Sequence, residues 1–357
     1  MSRELPKPTG AYSVGRTSVE ISDTARMDPL ANGVDAARRL VVWIYYPTES
    51  APTSAPSPYL PQGWEASDNV LGAPMGTLVL EGHSHDDAIP HRELGPRPLI
   101  LFSASGFSPL SYAATLENLA SHGYVVASIS HTRDAPITVF GDGTQILASE
   151  QNLRRITAAV GDPLAGGMDE TFAFRAQMAL MKRDDLKSTA DQLMKLKHPV
   201  LSLIDPARVG ALGHSLGGNA ALEWCAADPR CLAAVDLDGA IWTEVRKTGV
   251  HKPALILAAE HPEMQAPPAN LVAAGAFPTV EWCLNDRGYL FDGWHRVVDA
   301  GGALSTVQGA SHANFADIQF VPLKDDSPMR RVLGSVDPTE MWRQTGEALL
   351  ELFGKNL

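Results

Sequence analysis

The chain has 357 residues, of which 45% are hydrophobic and 20% charged, the proportions of a globular protein. With 41 acidic residues against 29 basic ones the net charge is −12, which excludes the basic face that a nucleic-acid partner requires and makes an anionic membrane a poor electrostatic partner. No apolar run is long enough to span a bilayer, and Met1–Pro8 carries no apolar leader, so the expected location is cytoplasmic.

Residues 1–37 read as polar and irregular, with a short alternating segment at Thr17–Ile21. Arg39–Tyr46 is the first strong strand, rich in β-branched and aromatic residues, and Pro47 ends it. Residues 48–96 are dense in Pro, Gly, Ser, Asp and His and read as long surface loops, with a short strand at Gly76–Leu80. A regular alternation then begins. Pro98–Phe102 is a buried strand, residues 109–121 place Leu110, Ala113, Ala114, Leu116 and Leu119 on one helical face, and Tyr124–Ile129 is the next strand. An irregular stretch, 131–170, turns at Gly141-Asp142-Gly143 and is followed by a helical pattern over 171–196. Strands recur at 208–213, 232–237, 253–259 and 303–308. The last helix spans roughly 338–353, with Asp337 as N-cap and Pro338 at its first position.

Short apolar strands alternating with helices predict an α/β protein: a mostly parallel sheet covered on both faces. Length alone allows two domains; the expectation is a single domain over 1–357. The inserts 48–96, 131–170 and 261–293 exceed simple connections and are expected to wall the active site. Cys225, Cys231 and Cys283 are an odd, sparse set, for which free buried thiols are the expected state and a Cys225–Cys231 pair across a helix end is the lesser alternative.

Gly213-His214-Ser215-Leu216-Gly217 stands between the apolar run Arg208–Leu212 and the helical run Gly218–Cys225. Strand, Gly-x-Ser-x-Gly, helix is the order of a nucleophile elbow, a turn so tight that only small residues fit two positions either side of the serine. The pentapeptide alone arises by chance; the flanking strand and helix distinguish it. A serine hydroxyl needs a histidine to take its proton and a carboxylate to orient that histidine, in the chain order Ser, acid, His. His312 follows the last strand and a turn, Gln308–Ser311. Among its rivals, His251 precedes its strand, His295 sits in an amphipathic segment, and His261 directly follows the strand 253–259. Two sites remain open for the acid from pattern alone: Asp238, at the loop end of the strand after the elbow helix, and Glu260, after the next strand. The oxyanion donors expected are the amides of Leu216 and Phe107, the latter in Ser103-Ala104-Ser105-Gly106-Phe107. His83-Ser84-His85-Asp86-Asp87 has the look of a binuclear metal motif, but Ala88 replaces its final histidine and a solvated loop is the better reading; no metal is expected.

With these segments in view, the chain resembles the platelet-activating-factor acetylhydrolase (lipoprotein-associated phospholipase A2-like) family in its bacterial form. The likeness runs through Gly10–Gly15, Val42–Pro47, Leu119–Ala127, Gly213–Gly218 and, most specifically, Gly309–Asp317. It implies the α/β-hydrolase fold and a triad acid in a Leu-Asp segment after the elbow helix, here Leu237-Asp238. The resulting expectation is a serine carboxylic-ester hydrolase with Ser215 as nucleophile, His312 as base and Asp238 as acid, needing no cofactor. Trp242 and Phe315 would wall the acyl pocket, and the partner would be a small ester, lipids included. The alternatives are the same triad on amides, lactones or polyesters, acyl transfer, and a non-catalytic ligand-binding protein on this fold.

Overall fold

The computed structural model describes residues 3–31, 33, 36–49, 55–70, 73–74, 76–104, 106–152, 167–323, 330 and 332–357. Its centre is a sheet of nine strands: β1 (Val14–Met27), β2 (Ala37–Pro47), β3 (His85–Asp86), β4 (Arg97–Ser103), β5 (Val125–Ser130), β6 (Ile204–His214), β7 (Cys231–Leu237), β8 (Ala254–Ala259) and β9 (Ala303–Val307). The spatial order is β9-β8-β7-β6-β4-β5-β2-β1-β3. Six neighbouring strands from β9 to β5 run parallel; β2 is antiparallel to β5 and to β1. This is the mostly parallel sheet expected of an α/β-hydrolase.

Five helices matter for the site: α1 (Ala113–Ser121), α2 (Gly167–Leu193), α3 (Leu216–Ala227), α4 (Gly293–Asp299) and α5 (Pro338–Asn356). The central strands are apolar on both faces, and period 2 sends alternate side chains to opposite layers. Val41, Trp43 and Tyr45 pack into one core with α1 and α5; Leu40, Val42 and Ile44 pack into the other with α2, α3 and α4. At the start of α5, Asp337 accepts from the amides of Thr339 and Glu340 at 2.9 and 3.0 Å, the N-cap expected there.

Several local expectations are corrected. The N-terminal segment is not irregular: Val14–Met27 is a 14-residue strand paired along β2. Its outer face is polar, so only the middle of its alternation was visible in sequence. The strand expected at Gly76–Leu80 is instead a 3₁₀ turn over Thr77–Val79, because Gly76 is left-handed (φ 77°) and Asp68 captures the Thr77 hydroxyl at 2.6 Å; only Leu80–Glu81 extends. The 131–170 insert carries a small hairpin, Ile137–Val139 with Gln145–Leu147, about the turn seen in sequence. Insert 261–293 is largely helical rather than loop, with short helices at Pro262–Gln265, Pro268–Ala273 and Val280–Arg287 and a π-helical turn at Gly288–Asp292.

The cysteines also differ from expectation. Cys225 and Cys231 form a disulfide, and Cys283 is free and buried. Helix α3 ends at Ala227, and Lys252 gathers the carbonyls of Cys225, Asp228 and Cys231 at 2.7–2.9 Å. The chain therefore doubles back, bringing the two Cα atoms to 5.0 Å. Among the described residues no helix is long and apolar enough to cross a membrane.

Candidate active site

Strands β6, β7 and β8 deliver their C-terminal ends to one cleft, the place where open α/β sheets collect their ligands. At the end of β6, Ser215 has φ 60° and ψ −128°, a strained conformation for a residue with a side chain. The turn explains both glycines: a methyl on Gly213 would collide with the Gly217 carbonyl, and one on Gly217 with the Ser103 carbonyl. The Ser215 amide donates to Leu237 at 3.0 Å, tying the elbow to β7, and α3 starts at Leu216. The Leu216 and Phe107 amides have no hydrogen-bond acceptor among the described residues. Ser105 lies outside the described residues.

Asp238 follows β7 with φ 57° and a fully buried side chain. Its Oδ2 accepts from His312 Nδ1 at 2.6 Å. Its Oδ1 accepts from the Ala259 amide at 2.7 Å and from His261 Nε2 at 2.9 Å. Burial would raise this carboxyl, but the bonds from His261 and His312 outweigh it and hold the group well below the usual carboxylate range. Glu260, the other acid left open by the sequence, serves differently. Its carboxylate accepts from the Gly309 amide at 2.8 Å and its own amide donates to the Ala310 carbonyl at 3.1 Å, so it fixes the turn that leads to His312. His251 and His295 are exposed.

Ser215, Leu216, Asp238, His261 and His312 all line one cleft of about 310 Å³. Among the described residues Ser215 Oγ and His312 are not hydrogen-bonded, a looseness common in unliganded sites. The remaining walls are Arg175, Ala240, Trp242, Met264, Asp286 and Leu290. Trp242 lines this cleft and stacks on Tyr289 at 4.3 Å, with the Arg175 guanidinium 4.6 Å from its ring centre and Arg175 paired to Asp286 at 2.6 Å. Phe315 is not a wall. It is 3% exposed and packs in the core 5.8 Å from the His214 ring, because the 3₁₀ turn His312–Phe315 points it inward. Of the three inserts, only 261–293 lines the cleft among the described residues. The segment containing Pro58 and Tyr59 instead wraps the other end of the sheet, their carbonyls accepting from Arg16 at 3.0 and 3.1 Å.

Sequence reasoning missed the support behind the loop that follows β4, the candidate oxyanion loop. The buried Lys182 ammonium donates to the Ala104 carbonyl at 3.0 Å and pairs with Asp134, which also accepts from the Gly106 amide at 3.5 Å. Beside it, Ser103 Oγ, His131 and Asp185 form a second Ser-His-Asp row, with bonds of 2.8 and 2.9 Å. Burial and the Lys182 charge push His131 down to about 4, so it is neutral, and none of the three residues lines the cleft. The acidic residues of the metal-like stretch are occupied too: Asp86 pairs with Arg16 at 2.8 Å and Asp87 accepts from Thr17 at 2.6 Å, while Glu117 holds the amides of His83 and Ser84.

No family model matches the sequence. A probable 1-alkyl-2-acetylglycerophosphocholine esterase of Arthroderma benhamiae is 27% identical over 266 residues, 69% of this chain and 61% of that protein. The platelet-activating factor acetylhydrolase of Bos taurus is 21% identical over 390 aligned positions, 99% of this chain and 77% of that one. The chain is similar to platelet-activating-factor acetylhydrolases. It spans 61% of the length of the fungal relative. A ferulic acid esterase from Streptomyces cinnamoneus superposes with a TM-score of 0.73 at 24% identity, covering 100% of this chain and 94% of that structure, which establishes the α/β-hydrolase fold.

Proposed function

We propose that this acetylhydrolase-like chain is a serine hydrolase of carboxylic esters, working through an acyl-enzyme with Ser215, His312 and Asp238 as its triad. The observation that carries the reading is the 2.6 Å bond from His312 Nδ1 to the buried Asp238 carboxylate, at a cleft shared with the strained elbow serine. His312 takes the Ser215 proton through Nε2 as Oγ attacks the ester carbonyl. The ionised Asp238 stabilises the resulting imidazolium, which then protonates the leaving alcohol; water repeats the sequence to release the acid. The Leu216 and Phe107 amides receive the tetrahedral oxyanion, each such donor being worth about 2.7–4 kcal/mol in the transition state.

The cleft of about 310 Å³ lies at the small end of ligand sites, and Leu216, Ala240, Trp242, Met264 and Leu290 give it apolar walls. Together with the acetyl ester in the fungal relative's name, this favours short acyl groups, on lipid-like or simple alcohols. The test is labelling with a fluorophosphonate and hydrolysis of p-nitrophenyl esters of increasing chain length. Labelling at Ser215, a rate optimum at acetyl to butyryl and a loss on the order of 10⁶-fold in Ser215→Ala are expected. Ser215→Ala retaining most of the activity would falsify the reading.

A further inference from the structure

The acid of the site is shared by two histidines. Asp238 Oδ2 accepts from His312, whereas Oδ1 is occupied by the Ala259 amide at 2.7 Å and by His261 Nε2 at 2.9 Å. His261 stands at the end of β8, its side chain 15% exposed in the cleft and its ring 5.9 Å from Trp294 on α4. The Trp294 indole in turn donates to the Gly239 carbonyl at 2.8 Å, next to Asp238. We infer that His261 is a positioning residue that locks Asp238 toward His312 and sets the pH range in which His312 works as a base; this rests on the function proposed above.

Two donors on Oδ1 prevent the carboxylate from rotating, so Oδ2 keeps its alignment with His312. They also draw off carboxylate charge. An ionised carboxylate that already receives two N–H bonds attracts an imidazolium less than an unshared one does. The His312 imidazolium is then held less firmly than it would be beside an unshared Asp238. A triad base works only when neutral, so the acid limb of the rate profile extends downward.

Other charged and titratable groups surround the pair on every side. Asp236 on β7 lies beneath it, pushed well up by burial, and His214 on β6 is pushed down to about 3 by burial and by His312. Glu260 is bonded to Gly309, and Arg175 on α2 is paired with Asp286 from the insert. The side-chain bonds to Asp238 come from His261 and His312.

The experiment is the pH profile of kcat/KM for p-nitrophenyl acetate in the full chain, comparing wild type, His261→Phe and His261→Gln. In His261→Phe the acid limb should move up by about one pH unit, roughly a tenfold loss at the acid end with KM little changed. His261→Gln, whose amide can still donate to Oδ1, should bring the limb back toward wild type. An unmoved limb in folded His261→Phe overturns the inference, as does a change confined to KM, which would make His261 a wall only. Activity that survives in His312→Ala and disappears when His261→Phe is added also overturns it, by making His261 a base in its own right. ¹⁵N NMR of the wild type reads the same claim without a variant: His261 should be the neutral Nε2–H tautomer, and an Nδ1–H tautomer refutes the shared carboxylate. Loss of activity in Ser215→Ala together with an unmoved His261 limb would defeat this inference and leave the esterase reading standing.

Discussion

His214 Nε2 donates to the backbone carbonyl of His312 at 3.0 Å, and the two rings lie 4.5 Å apart. The residue just before the elbow serine thus fastens the backbone of the proposed base. Its Nδ1 accepts from the Tyr112 hydroxyl at 2.8 Å, and burial keeps the ring neutral, as this pair of bonds requires. Tyr112→Phe leaves the ring and removes the bond, about 1 kcal/mol net. The expected result is a fall in kcat of about fivefold with KM nearly unchanged, read by steady-state ester hydrolysis. An unaltered kcat would separate this chain of bonds from catalysis.

Gly217→Ala tests the elbow. The added methyl meets the Ser103 backbone carbonyl, which cannot swing aside as a side-chain tip could. Destabilisation of about 1–3 kcal/mol is expected from overpacking. Because Ser215 must move with the turn, a loss of activity on the order of a hundredfold should accompany it. Urea unfolding and initial rates measure the two effects; a variant as active as wild type would mean that the turn relaxes elsewhere.

Asp317 gives stability a pH dependence. Burial, above all, and the nearby Glu117 charge push its carboxyl up to about 7, against bonds from the Tyr59 hydroxyl at 2.8 Å and the amides of Ala113 and Ala114. The folded state therefore holds this proton where the unfolded chain, near pH 4, has released it. Its contribution is intact below the unfolded value and falls as pH rises from about 4 to 7. In Asp317→Asn that decline should flatten. Thermal melts at pH 5 and pH 7.5 check this, and equal slopes in wild type and variant would remove Asp317 from the account.

The disulfide predicts a thiol count. Chain purified and unfolded without reductant should titrate a single thiol, Cys283, and three after reduction. Cys225 and Cys231 are separated by only six positions, so removing the bridge should cost about 2 kcal/mol by chain entropy. Both sulfurs are buried, so reductant should act only after unfolding. Three thiols in the unreduced chain would refute the bridge.

The layered sheet was legible because both faces of each central strand are apolar and the elbow carries a local steric signature. Ser215 and His312 followed from chain order. Asp238 did not: its choice over Glu260 came from family likeness, since both residues end neighbouring strands. What separates them is the Gly309 amide, which occupies Glu260 through a contact 49 positions away. His261 was visible as the histidine directly after a strand and as a rival base, but its bond to Asp238 depends on the register of β7 against β8. Phe315 was misread as a wall because a four-residue 3₁₀ turn rotates successive side chains in ways that adjacency does not encode. The bridge was only the lesser alternative because its closure relies on Lys252, far along the chain.

Strand β9, which leads to His312, is the end strand of the sheet; four of its five residues are exposed, and among the described residues it pairs only with β8. Ser215 leaves β6, clasped between β4 and β7. The proposed base and nucleophile are thus mounted on the periphery and the centre of one structure, and peripheral strands open at lower free energy than central ones. Mild urea should silence ester turnover while the tryptophan fluorescence of the core still reports a folded chain, and dilution should restore the rate as quickly as β9 docks again. In this sense the range over which the proposed esterase works would be narrower than the range over which the chain remains folded.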